Sequence, residues 1–170
     1  SKYDINIIFS YFKIIEKKYL EKSNYNLIPH ESDLPKGRGM SPITWEILKG
    51  KSRITFSLIE ASQKMDAGVI YFKEKFKIDK SLVFNEIKKI QFNKNIDLII
   101  KFIKFYKKNK TAPRSKKQKG KVTYYKLRKP TDSKININKS LKSQFNLMRV
   151  CDYKNYPSHF YFNKKKYLIK

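Results

Sequence analysis

The sequence predicts an α/β fold built on an open, mostly parallel sheet, and three observations carry that reading. The 170 residues suffice for one buried core. Apolar residues make up 40% of the chain and aromatic residues 15%, which is enough for a packed globule and unlike the composition of a disordered segment. Short β-branched runs alternate with helix-like stretches across short links, as in a sheet with helices packed against it.

Each element has its own signal. Residues 4–9 (DINIIF) form a short apolar run of the kind that makes a fully buried parallel strand. Residues 14–20 read as a turn or two of helix, and residues 26–28 as a second buried strand leading into a polar loop over residues 30–39. Ser41 followed by Pro42 predicts a helix start, with serine as the cap and proline where its missing N–H does no harm; Gly50 ends that helix. Residues 54–59 and 69–76 read as two further strands, the latter alternating in its second half.

From residue 81 to about 108, apolar residues fall at helical spacing, and Asn93 to Asn95 is expected to divide the stretch into two helices. Residues 107–121 (KKNKTAPRSKKQKGK) combine proline, glycine and like charges, so an exposed loop is expected. Residues 123–127 and 160–169 read as strands, with a hairpin turn at residues 163–166. The resulting division is an α/β portion over residues 1–108, a basic loop over 109–121 and a small β-rich segment over 122–170.

The formal charge of +26 invites a polyanion partner, but its make-up weakens that invitation. Only five of the 40 basic residues are arginine (Arg38, Arg53, Arg114, Arg128 and Arg149), whereas base-reading and phosphate-clamping surfaces favour the guanidinium fork. Residues 101–170 hold 22 basic and two acidic residues, against 18 and 12 in residues 1–100. A solvated lysine-rich surface is the favoured reading, with no nucleic-acid partner expected. No run approaches the roughly 20 apolar residues of a membrane span, and residues 1–20 lack the order of a signal peptide. A cytoplasmic protein without a membrane partner is therefore expected, and a homodimer is left open. Cys151 alone can form neither an internal disulfide nor a zinc site and reads as a buried thiol.

The most informative segment is NLIPHESDLPKGRGMSPITW, residues 26–45. It puts His30 at the carboxyl end of a buried strand, the edge at which open α/β sheets hold ligands. Leu34-Pro35, Arg38-Gly39 and Pro42 follow, and 36 residues beyond His30 comes Asp66 in the turn Asp66-Ala67-Gly68. A lone histidine after a strand is more often a hydrogen-bonded loop residue, and an Asp-Ala-Gly alone is usually a turn. His159, between aromatics in a predicted strand, reads as structural.

Together these motifs resemble the signature of the folate-dependent formyltransferases, the family that includes glycinamide ribonucleotide, methionyl-tRNA and nucleotide-sugar formyltransferases. There a histidine is followed by Ser, Leu-Pro, Arg-Gly and Pro at these offsets, and an aspartate lies in an Asp-small-Gly turn. Residues 118–137 and 143–170, with Asp132-Ser133, Arg149, Pro157 and an aromatic hairpin, are similar to the region after the catalytic domain in the sugar branch. The HESDLPKGRG wording is also closer to that branch.

The resemblance implies a Rossmann-like formyltransferase sheet, incomplete at the amino end, with a small carboxy-terminal helical and β-hairpin appendage. It implies transfer of a formyl group from N10-formyltetrahydrofolate to the amine of a nucleotide-linked amino sugar, without a metal. His30 and Asp66 take the catalytic roles, expected within hydrogen-bond or one-water reach of each other. Ile28, Pro29 and Gly68 take the folate contacts, and Ser32, Lys36, Arg38 and Gly39 the substrate contacts. Lys36 to Gly39 reads as a loop able to cradle phosphate through exposed N–H groups. At Ile28 the chain departs from the family, which carries an asparagine there to steady the oxyanion; backbone N–H groups or His30 would have to do so instead. Two other readings stay open: a methionyl-tRNA formyltransferase, against which the absence of room for a further barrel domain counts, and a non-catalytic remnant of the family.

Overall fold

The computed structural model describes residues 2–169. Its centre is a four-stranded sheet in the order β1-β2-β4-β5, formed by β1 (Tyr3–Ile7), β2 (Ser23–His30), β4 (Arg53–Glu60) and β5 (Ile70–Lys77). Between these strands lie α1 (Lys17–Leu20), the two-residue β3 (Arg38–Gly39) and α2 (Pro42–Leu48). After β5 come α3 (Phe84–Asn109), β6 (Tyr124–Tyr125), a 3-10 turn at Pro130–Ser133, α4 (Leu141–Arg149) and the hairpin β7 (Ser158–Phe162) and β8 (Lys165–Ile169).

The open α/β sheet expected from the sequence is present, but its pairing is mixed. β1 and β2 are parallel, whereas β2–β4 and β4–β5 are antiparallel. The short loop between β4 and β5 is too brief for a parallel crossover, which needs a dozen or more residues. β2 and β4 are the interior strands, and Ile54 to Ile59 of β4 are all buried, so both faces of β4 are covered. On one face Leu27, Phe56 and Leu58 meet Ile43 and Ile47 of α2 and Leu98, Ile99 and Phe102 of α3. On the other, Ile59 packs with Leu34, Ile70 and Ile28. β1 is not the fully buried strand its composition predicted: it lies at the sheet edge with β2 as its neighbour, and its residues are exposed or half-buried.

Four other expectations are corrected. α3 runs unbroken through Asn93 to Asn95, because Asn95 is buried and donates its amide to Glu31 Oε1 at 2.6 Å instead of competing for backbone groups. Ser41 precedes α2 but its side chain makes no cap, since φ 50 and ψ 47 take it out of the extended conformation a capping side chain requires. The basic segment is not a free loop: α3 extends to Asn109, and Lys116 exchanges backbone hydrogen bonds with Ile70. The strand expected over residues 123–127 is only the two residues of β6, which pair in parallel with β3. The closing hairpin is as expected, with Asn163 and Lys164 both at positive φ, as a tight two-residue turn requires. Cys151 is buried and donates its thiol to the Leu147 carbonyl, and His159 is buried in β7 with Nδ1 facing the Pro157 carbonyl.

Candidate active site

β2 ends on His30, which is paired across the sheet with Ser57 of β4. The chain then turns sharply, with Ser32 N–H donating to the His30 carbonyl, and runs through the cis Leu34-Pro35 bond to β3. β3 is anchored by β6, with Arg38 opposite Tyr124 and Gly39 opposite Tyr125. At Gly39 a Cβ would stand 2.4 Å from the Tyr125 carbonyl oxygen, and φ is +98°, so only glycine fits this approach.

Asp66 arrives from the loop between β4 and β5. Its backbone is left-handed, with φ 48, and Ala67 N–H closes the turn onto the Lys64 carbonyl. Two residues on, Gly68 passes so close to the end of β4 that a Cβ would lie 1.7 Å from the Glu60 carbonyl oxygen. That approach folds the turn back over the sheet and carries Asp66 to the end of β2.

The result brings His30 and Asp66 together. His30 Nδ1 is 3.7 Å from Asp66 Oδ1, longer than a direct hydrogen bond, with both side chains almost entirely buried. Asp66 Oδ2 accepts the Gly39 N–H at 2.8 Å. His30 Nε2 lies 2.8 Å from the Gly37 carbonyl. A carbonyl can only accept, so Nε2 carries the hydrogen, and in the neutral ring Nδ1 is the free base, on the Asp66 side.

Both residues line a cavity of about 440 Å³. Ile28, Pro29 and Gly39 share its wall, and the segment from Ile8 to Ile15 forms a lip with the exposed aromatics Phe9, Tyr11 and Phe12. Lys13, Lys64 and Lys88 are also part of the wall. Ser32, Lys36, Arg38 and Gly68 are not. The phosphate cradle expected at Lys36 to Gly39 is overturned, because its N–H groups are spent internally. Lys36 donates to Asp33 O, Gly37 to Thr123 Oγ1, Arg38 to Thr123 O and Gly39 to Asp66 Oδ2. The Arg38 guanidinium is committed to Gln118 Oε1 through Nε and Nη2. Gly68 serves the backbone approach described above.

Three residues were missed. Gln118, inside the basic segment, donates Nε2 to the carbonyls of Asp66 at 2.7 Å and Gly68 at 2.9 Å, clamping the aspartate turn. Nothing in the local sequence announces it. Glu31 and Asn95 are buried against each other in the cavity wall. Their signal was a polar side chain at a core position of an amphipathic helix, since Asn95 shares the buried stripe of Ile87, Leu98, Ile99 and Phe102.

The family model described as formyl transferase matches residues 1–102. A methionyl-tRNA formyltransferase from Fusobacterium nucleatum is 29% identical over 147 residues, which is 86% of this chain and 47% of that protein. The chain thus spans about half the length of the curated relatives it matches. Among solved structures, a methionyl-tRNA formyltransferase from Clostridium thermocellum superposes with a TM-score of 0.78 at 24% identity, covering 96% of this chain and 69% of that one. An N-formyltransferase from Helicobacter canadensis, in complex with folinic acid and dTDP-3-aminofucose, gives 0.74 at 22% identity, covering 94% and 59%. These two likenesses establish a shared fold. With three-fifths of its length matched by the family model, the chain belongs to the formyl transferase family.

Proposed function

We propose that this cavity transfers a formyl group from N10-formyltetrahydrofolate to the amine of a nucleotide-linked amino sugar, with His30 and Asp66 as the catalytic pair. The observation that carries the reading is their convergence: residues 36 apart in sequence meet across 3.7 Å in one buried cavity, in a chain of the formyl transferase family. In the reaction the amine nitrogen bonds to the formyl carbon, and the bond from that carbon to the folate nitrogen breaks. One proton must leave the amine and one must reach the departing nitrogen. Nδ1 of His30 and the Asp66 carboxylate both face the space between them, so one of the pair takes a proton from the amine and a proton is passed on to the departing folate nitrogen. The Gly37 carbonyl keeps the ring in the tautomer that leaves Nδ1 free, and the Gly39 N–H fixes the carboxylate.

Ile28 supplies no amide for the oxyanion, so the imidazolium formed at His30 is the charged donor at hand. Support for a sugar acceptor comes from the HESDLPKGRG wording of residues 30–39 and from the Helicobacter canadensis protein, whose complex holds folinic acid and dTDP-3-aminofucose. A second reading, formylation of a charged tRNA, is favoured by the names of the curated relatives and by the 22 basic residues in residues 101–170.

Titration of the chain with dTDP-3-aminofucose, other nucleoside-diphosphate amino sugars and initiator methionyl-tRNA, at low and physiological salt, separates the two. Each phosphate a tRNA backbone presents releases counterions, so six or more contacts would make affinity fall by orders of magnitude with salt. Sugar binding is expected to weaken only modestly. Tight, aminoacylation-dependent tRNA binding at physiological salt would overturn the sugar reading.

A further inference from the structure

The cavity has a second polar wall that the reaction does not use. Glu31 and Asn95 are 6% and 4% exposed, yet both line it. The Asn95 amide nitrogen donates to Glu31 Oε1 at 2.6 Å. The amide oxygen is then left over: Asn95 Oδ1 is buried and has no hydrogen-bond partner among the described residues. An orphan acceptor in a packed wall is a standing cost that a donor from a ligand would relieve. On the same helix, three residues before Asn95, Phe92 also lines the cavity and is 59% exposed, its ring centroid 6.4 Å from that of Phe9.

A carboxylate, an amide oxygen and a bare aromatic ring at one wall match a polyhydroxylated ring. Its hydroxyls donate to the two acceptors, and its apolar C–H face packs against the aromatic. We propose that Glu31, Asn95 and Phe92 form the sugar-ring subsite of this cavity and set which amino sugar it accepts. The inference rests on the acceptor being a nucleotide-linked amino sugar. Glu31 and Asn95 accept hydroxyl hydrogens and Phe92 carries the ring face.

The test is calorimetric titration of the full chain, and of its Asn95→Leu and Phe92→Ala variants, with dTDP-3-aminofucose and separately with folinic acid. Each variant is expected to bind the nucleotide sugar roughly tenfold more weakly while its folinic acid affinity stays within about twofold. Phe92→Ala removes an exposed side chain and leaves the core intact, so it reads the subsite even where Asn95→Leu does not fold. Sugar affinity unchanged in Phe92→Ala and in a folded Asn95→Leu overturns the subsite alone, as does an equal loss for folinic acid. No sugar binding by the unsubstituted chain overturns the subsite together with the sugar reading.

Discussion

Gln118→Leu is the sharpest perturbation of the site that touches neither the His30 nor the Asp66 side chain. Asp66 sits in the left-handed region, which costs a non-glycine residue about 1–2 kcal/mol. The two Gln118 Nε2 bonds to the Asp66 and Gly68 carbonyls, each worth about 1 kcal/mol net, offset that cost. Leucine is close to glutamine in size and abolishes both, together with the acceptor that holds Arg38. A bias of about 2 kcal/mol withdrawn from the turn lowers the population of correctly placed Asp66 by up to roughly thirtyfold. The expected result is a fall of roughly ten- to thirtyfold in kcat/KM for formyl transfer, read from the appearance of tetrahydrofolate. Tm should drop by only about 4–8 °C. Gln118→Glu keeps Arg38 paired but also loses the donors, so it should lose a similar factor in rate. A kcat/KM within about twofold of the parent in both variants would refute the reasoning, because Asp66 would then be held without Gln118.

Two further outcomes follow from backbone fit and from burial. Gly68→Ala places a Cβ 1.7 Å from the Glu60 carbonyl, so the turn must move; a loss of roughly 3 kcal/mol or more in thermal or denaturant unfolding is expected, and unchanged stability would show that the turn yields freely. Burial pushes the Glu60 carboxyl above its ordinary value, opposed by hydrogen bonds from Tyr71 and Asn26. A raised folded pKa means that the stability Glu60 contributes is present at pH values below the ordinary carboxylate range and is lost as pH rises through the folded value. Against Glu60→Gln, which does not titrate, the parent's Tm should therefore decline progressively as pH is raised from about 4 towards neutrality. Parallel Tm curves for the two proteins would contradict this.

What could be read from the sequence was local. The run into His30, the Ser41-Pro42 helix start and the Asn163-Lys164 turn each follow from neighbouring residues, and the structure has a strand end, a helix and a hairpin there. What could not be read was decided by partners distant in sequence. Asn95 resembles a helix breaker until Glu31, 64 residues away, takes its amide. The N–H groups of Lys36 to Gly39 look available until Thr123, 86 residues beyond Gly37, and Asp66 occupy three of them. Gln118 lies among lysines and glycine that signal solvent, and only the fold turns it onto the Asp66 carbonyl. Edge strands carry the same composition as interior ones, which is why β1 read as buried although it lies at the sheet edge, while β4, an interior strand, is covered on both faces.

The most direct test of the proposed catalytic pair is single-turnover formyl transfer by His30→Ala, Asp66→Asn and the double variant, each checked for retained folding by its melting curve. If His30 and Asp66 handle the proton as one unit, each single substitution removes most of the rate, and the double variant is no slower than the slower single one. Either single variant turning over at the parent rate would contradict the account.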